Sequence, residues 1–189
     1  MKRSRTLTLA LMSATALTLA ACDNPEEVAV FETVEQCATQ DGFNLQACEA
    51  NMKQAQAEHV RVAPKYTSAA DCEADFGAEQ CETSPQRTTS GGSVFMPLMM
   101  GYMMGNMMSG RSGVATQPLY RSRDDAKNFR TGDNQKVSGK TGVSKVSGQI
   151  ARAPSTKTST IKRGGFGSAA RASTGRFRSF GGRFRSFGG

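Results

Sequence analysis

The chain has 189 residues, of which 38% are hydrophobic and 7% aromatic, with no Trp, 20 Gly and a formal charge of +8, so it has room for one ordinary domain. The charge is unevenly spread: residues 22–90 hold 13 Asp/Glu against 4 Lys/Arg, whereas residues 91–189 hold 3 against 17, together with 18 of the Gly. This division argues against one evenly mixed core and against a large enzyme fold, because the second half has too little apolar content to offset the entropy of ordering it.

Residues 1–21 read as a secretory signal, with Lys2, Arg3 and Arg5 ahead of an apolar stretch from Leu7 to Ala20 that is too short to span a membrane. Leu19-Ala20-Ala21-Cys22 resembles a bacterial lipobox. Cys22 is therefore expected to be acylated and to become the first residue of a durably anchored mature chain, since two or more acyl chains suffice for stable attachment. Asp23 and Asn24 follow it in the context that resembles retention at the inner membrane of a Gram-negative cell, facing the periplasm. Residues 22–32 are then a lipid-anchored linker.

Four cysteines remain, an even number in an exported chain, which indicates disulfides. Ten residues separate Cys37 from Cys48 and eight separate Cys72 from Cys81, unlike the short knuckles that zinc prefers. Four thiols allow three pairings. A repeat favours one of them: Phe31-Glu-Thr-Val-Glu-Gln-Cys37 and Tyr66-Thr-Ser-Ala-Ala-Asp-Cys72 share an aromatic, a hydroxyl and a Cys at matching positions, and Glu49 and Glu82 follow the second Cys of each unit. The favoured pairs are Cys37 with Cys48 and Cys72 with Cys81. Thr33 with Gln36, and Ser68 with Asp71, have the spacing of capping boxes, so each unit is expected to start a helix and to turn at Asp41-Gly42 or at Gly77. Leu45, Cys48, Met52, Ala55 and His59 trace one face of a helix that ends before Pro64. Residues 33–82 thus read as a small, mostly α, two-disulfide module. His59, the single histidine, reads as a partly exposed helix residue, and Glu73, Asp75, Glu79 and Glu82 as a solvated face without a calcium-loop pattern. No catalytic residue, metal site or cofactor is indicated.

Residues 83–92 form a polar linker, and residues 93–110 hold seven of the ten methionines. Gly101, Gly105 and Ser109 recur every fourth residue, a small-residue stripe suited to close helix packing, with Tyr102 as an interfacial residue. The expectation is an apolar Met/Gly helix that lies in the membrane interface or docks on a partner or a second copy. As a helix, Val94 to Met108 is about 22 Å long, short of a roughly 30 Å hydrocarbon core. A crossing would nonetheless place the basic half inside. An alternative use of the methionines is Cu(I) handling, because thioethers are soft ligands.

Residues 111–189 read as a long, largely disordered basic tail. Gly175-Arg-Phe-Arg-Ser-Phe-Gly181 recurs as Gly182 to Gly188, setting Arg176, Arg178, Arg183 and Arg185 among Phe177, Phe180, Phe184 and Phe187. Such segments bind single-stranded nucleic acid, but export redirects the expectation to anionic envelope surfaces.

Several of these pieces together resemble the YgiB-like family of bacterial envelope proteins. They are the lipobox, Ala63-Pro64-Lys65-Tyr66 with Asp71-Cys72 and Gln80-Cys81, Phe95-Met-Pro-Leu-Met with Gly101-Tyr-Met-Met-Gly105, Gln117-Pro118-Leu119 and Arg163-Gly-Gly-Phe-Gly167. That resemblance implies no established site residues. Because such proteins are often encoded beside an ATP-grasp enzyme similar to glutathionylspermidine synthases, it implies a further alternative, an accessory subunit of that enzyme. The function expected overall is that of a non-enzymatic, lipid-anchored envelope protein acting through membrane, partner or anionic-surface contacts.

Overall fold

A computed structural model describes residues 25–105, 114–161 and 164–167. The helices begin where the caps lie. The Thr33 hydroxyl accepts from the Gln36 N–H at 3.1 Å, and the Gln36 side chain accepts from the Glu32 N–H at 2.8 Å, starting α1 (Val34–Ala38). Asn44 caps α2 (Leu45–Val62) by accepting from the Ala47 N–H at 2.8 Å. Ser68 caps α3 (Ala69–Phe76), which Gly77 ends at φ 110°. Disulfides join Cys37 to Cys48 and Cys72 to Cys81. The first ties α1 to α2, and the second ties α3 to the strand that follows it.

The mostly α architecture is overturned. The body of the protein is a six-stranded antiparallel sheet in the order β7-β6-β5-β4-β1-β8. It is made of β1 (Glu26–Phe31), β4 (Gly101–Gly105), β5 (Gln117–Ser122), β6 (Asp125–Arg130), β7 (Lys136–Ser138) and β8 (Gly142–Val146). A second, two-stranded sheet pairs β2 (Cys81–Arg87) with β3 (Ser93–Pro97), and a short α4 (Gly148–Ala151) follows β8. The edge strands β7 and β8 are joined only by residues 139–141, which cannot reach far, so the large sheet curls until it is nearly closed.

Both faces of the sheet are buried along its central strands β1 and β4. Along β1, Val28 and Val30 point into one cluster with Met103, Leu119, Phe129, Val137, Val146 and Ala151. Ala29 and Phe31 point the other way, to Tyr102, Met104, Cys37, Cys48 and Ala55 beneath α1 and α2. A third cluster, around Tyr66, Phe76, Met96, Tyr120 and Phe166, lies below α3.

The Met/Gly helix expected over residues 93–110 is instead β3, a connection and β4, with residues 106–113 outside the described residues. A run buried on both faces shows no polar alternation, so its period cannot be told from that of a buried helix. Gly101 and Gly105 bound a strand and do not form a helix stripe; a Cβ on Gly101 would lie 2.7 Å from the Phe31 carbonyl oxygen of the neighbouring strand. Ser109 lies outside the described residues. Tyr102 is fully buried between strands and so is no interfacial anchor. Among the described residues, no helix is long and apolar enough to cross a membrane.

The disordered-tail expectation also fails for residues 114–161, where β5 to β8 lie. Each of these strands gives the core only one or two large side chains, such as Leu119, Phe129, Val137 and Val146. That is too little to order a strand alone, and enough when β1 and β4 supply the opposing surface. The charge division is thereby resolved within the fold, because the acidic half lends β1 to the basic half. Glu27 stands opposite Lys145, and Arg121 pairs with Glu32 at 2.9 Å. Residues 22–32, expected as a linker, contain that strand.

Candidate functional site

The end of α2 and the segment that follows β8 build the most chemically distinctive surface. Residues 157–161 run parallel to residues 61–65: the Lys157 N–H donates to the Arg61 carbonyl at 2.8 Å, and the Ile161 N–H to the Lys65 carbonyl at 2.7 Å. Tyr66 bridges Ile161 on one side and Phe95 on the other. The strap then ends in a clasp. The buried Asp75 carboxylate accepts from the Gly164 N–H at 2.8 Å, the Gly165 N–H at 3.1 Å and the Tyr66 hydroxyl at 2.9 Å. The Asn134 side chain accepts from the Gly167 N–H at 3.1 Å and donates to its carbonyl at 2.9 Å. Between these anchors the Phe166 ring is buried against Phe76, 4.8 Å between centroids. Gly167 has φ 83°, and a Cβ there would collide with the Asp124 carboxylate, so the clasp fits glycine alone.

Two pockets meet at Lys65 and Ser159 beside this strap. One, of about 270 Å³, lies between Pro64, Gly132, Asp133, Lys157 and Phe166; the other, of about 320 Å³, lies between Arg87, Thr88, Thr89, Thr158 and Thr160. Lys65 is only 3% exposed. Its amine donates to the Val60 carbonyl at 3.0 Å and the Arg61 carbonyl at 3.3 Å, at the C-terminal end of α2, where the helix dipole favours a cation. No carboxylate forms an ion pair with it among the described residues. Burial, and then the neighbouring Lys157 charge, lower the Lys65 amine from its ordinary value. Across the cleft, Lys157 is paired with Asp133, which also accepts from the Ser155 N–H and hydroxyl. Burial alone would raise the Asp133 carboxyl, but the hydrogen bonds from Lys157 and Ser155 outweigh it and hold the group below the usual carboxylate range. The cleft therefore presents more positive charge than negative, together with hydroxyls.

A separate polar chain runs through the core. His59 is 7% exposed, not half in solvent as its helix position suggests. Its Nε2 lies 3.0 Å from Glu82 Oε1 and its Nδ1 2.9 Å from the Tyr120 hydroxyl. Every group is satisfied when Nε2–H donates to the carboxylate and Nδ1 accepts from the tyrosine. Burial lowers the His59 imidazole, outweighing the Glu82 carboxylate, and burial, then Glu82, raises the Tyr120 hydroxyl. Asp75 and Glu82, read from the sequence as part of a solvated face, are thus the partners of buried groups. The Tyr102 hydroxyl is buried without a hydrogen-bond partner among the described residues; burial, and then the Glu35 charge, push it up to about 12.

Of the sites expected from the sequence, Cys22, Asp23, Asn24, Ser109, Arg176, Arg178, Arg183, Arg185, Phe177 and Phe184 lie outside the described residues. The copper reading loses its geometry, because Met96, Met103 and Met104 are buried in three different clusters; neighbours on a strand face opposite ways. Among the described residues, no group of His, Cys, Asp and Glu could hold a metal. Lys65, Asp75, Asp133 and Lys157 were not singled out as site residues, since nothing in the sequence brings the strap back to α2. The signals were the short runs around Lys65 and Arg163-Gly-Gly-Phe-Gly167, which carried only a resemblance.

Fold and site define a disulfide-bonded α+β domain, a curled sheet with helices on its outer face, with a cationic cleft. The chain belongs to the family described as "Protein of unknown function (DUF1190)", whose model matches residues 25–176. It is similar to a "UPF0441 protein" of Erwinia tasmaniensis, 34% identical over 184 residues, 88% of this chain and 82% of that one. It is likewise similar to a "UPF0441 protein" of Serratia proteamaculans, 34% identical over 93% of this chain and 86% of that one, and to one of Pectobacterium carotovorum, 33% identical over 85% and 79%. These are uncharacterised bacterial proteins. No solved structure matches.

Proposed function

We propose that this is a non-enzymatic, lipid-anchored protein of the Gram-negative cell envelope, held through Cys22 on the periplasmic face of the inner membrane, that acts by contact with anionic envelope components. The observation that carries the reading is the disposition of polar groups. His59, Tyr120, Tyr66 and Asp75 are consumed in buried networks, whereas the groups left facing a cleft are cations, hydroxyls and amides, with one carboxylate, Asp133, already paired with Lys157. Such a surface binds and orients anions without supplying a nucleophile and its base. The signal ending at Ala21-Cys22 supports export and acylation, the two disulfides suit an oxidising compartment, and the named relatives come from Gram-negative enterobacteria. The repeats that set Arg176, Arg178, Arg183 and Arg185 beside Phe177 and Phe184 would add a second, salt-sensitive contact with anionic lipid.

Palmitate labelling and fractionation of cells test the anchor. The native chain should take up label and sediment with inner membranes, and Cys22→Ala should be unlabelled and soluble. Replacing Asp23 by Ser should shift the protein to the outer membrane. A Cys22→Ala protein that still sediments with membranes would refute lipid anchoring.

A further inference from the structure

We infer that the cleft on either side of Lys65 is a binding site for a phosphate-type oxyanion carried on a polar molecule. This goes beyond the contact reading above and depends on neither acylation nor the repeats.

Three observations converge. The Lys65 ammonium is buried, yet among the described residues its partners are two backbone carbonyls and no carboxylate. A buried charge without a counter-ion is costly, and the dipole at the end of α2 supplies only part of the compensation. Secondly, Lys65 lines both pockets, which add Arg87 and Lys157, with Asp133 the one carboxylate in either lining among the described residues. Asp133 is already paired with Lys157, so an excess of positive charge remains for a ligand. Thirdly, the Thr89, Thr158, Ser159 and Thr160 side chains make no hydrogen bond with the described residues, and the Arg87 guanidinium makes only a long one, 3.4 Å, to the Gly91 carbonyl.

Donors from three separate elements, the α2 end, the β2–β3 turn and the strap, suit a tetrahedral oxyanion better than a flat carboxylate, which prefers one planar fork. The pocket beside Arg87 is lined mainly by hydroxyl and other polar side chains, whereas the one beside Lys157 adds Pro64, Ile161 and Phe166, so a hydroxylated carrier fits best on the Arg87 side. A soluble phosphomonoester and a phosphomonoester lipid headgroup share this chemistry.

Binding to the full-length protein is measured by calorimetry and by thermal shift, with inorganic phosphate, with glycerol 3-phosphate and with vesicles of phosphatidic acid in phosphatidylcholine, each against sodium chloride at equal ionic strength. Lys65→Met keeps the buried unbranched stem and deletes the charge, so it should melt no lower than wild type without ligand and bind phosphate at least about tenfold more weakly, as expected for loss of one charged contact. Arg87→Gln, at an exposed position, should also weaken binding and serves if Lys65→Met does not fold. Lys127→Gln, exposed on β6, should leave it unchanged. Dependence on Lys65 or Arg87 with glycerol 3-phosphate assigns a soluble ligand, and dependence with vesicles alone assigns a headgroup. Binding unaffected by both variants would place the anion on the C-terminal repeats and overturn the site, as would no binding in any arm.

Discussion

Replacing Asp75 by Asn tests whether the clasp holds the strap on the core. Both carboxylate oxygens are in use: Oδ1 accepts from the Gly164 N–H, and Oδ2 accepts from the Gly165 N–H and the Tyr66 hydroxyl. Asparagine offers one acceptor and one NH₂. If its oxygen takes the Oδ2 place, the NH₂ faces the Gly164 N–H, donor against donor; if it turns over, the NH₂ faces the Gly165 N–H and the Tyr66 hydroxyl must turn to accept. Asp75 is buried but Gly164 and Gly165 are exposed, so water takes up part of each lost bond while the surviving bonds lose their charge assistance, and the expected loss is about 1–3 kcal/mol. For a domain of this size that lowers Tm by roughly 3–12 °C. The assay is thermal unfolding followed by near-ultraviolet circular dichroism, with amide hydrogen exchange at Gly164 and Gly165 read beside it. Exchange there should accelerate more than in β1, because the strap opens locally before the sheet does. A Tm within a degree of wild type, with the two amides still protected, would refute the clasp as a source of stability.

Other outcomes follow from the same geometry. The folded state holds His59 neutral, with its imidazole lowered by burial, so the unfolded chain binds the extra proton first and stability should fall as pH drops below about 6.5, the unfolded histidine value. His59→Gln should flatten that part of a pH series of denaturant midpoints, and an unchanged slope would count against the buried chain through Tyr120 and Glu82. Removing the Cys72–Cys81 bridge by a double Ser substitution should cost about 2–3 kcal/mol relative to wild type in oxidising buffer, a difference in urea midpoint that should close under reductant, where both proteins also lose the Cys37–Cys48 bridge. Gly101→Ala forces a Cβ toward the Phe31 carbonyl and should destabilise by about 1–3 kcal/mol, whereas a helix at that position would have been stabilised by the change.

The sequence by itself determined the features that are local. Capping residues Thr33 and Ser68 start their helices where their spacing to Gln36 and Asp71 places them, because an N-cap needs only its own next turn, and the period from Leu45 traces the helix between them. The duplicated unit likewise pointed to the two short-range disulfides, each closed within its own repeat. What only the tertiary structure decided is everything that joins distant parts of the chain. Tyr102, Met103 and Met104 read as part of one helix until β1 and β5 flank them and the strand period sends neighbours to opposite faces. Lys145 reads as part of a basic tail until it stands opposite Glu27. The cleft is the furthest case, since Lys65 and Lys157 lie far apart in sequence and meet only because the strap is clasped at Asp75. Strand pairing and charge compensation are long-range, and no local periodicity records which partner will supply the other half.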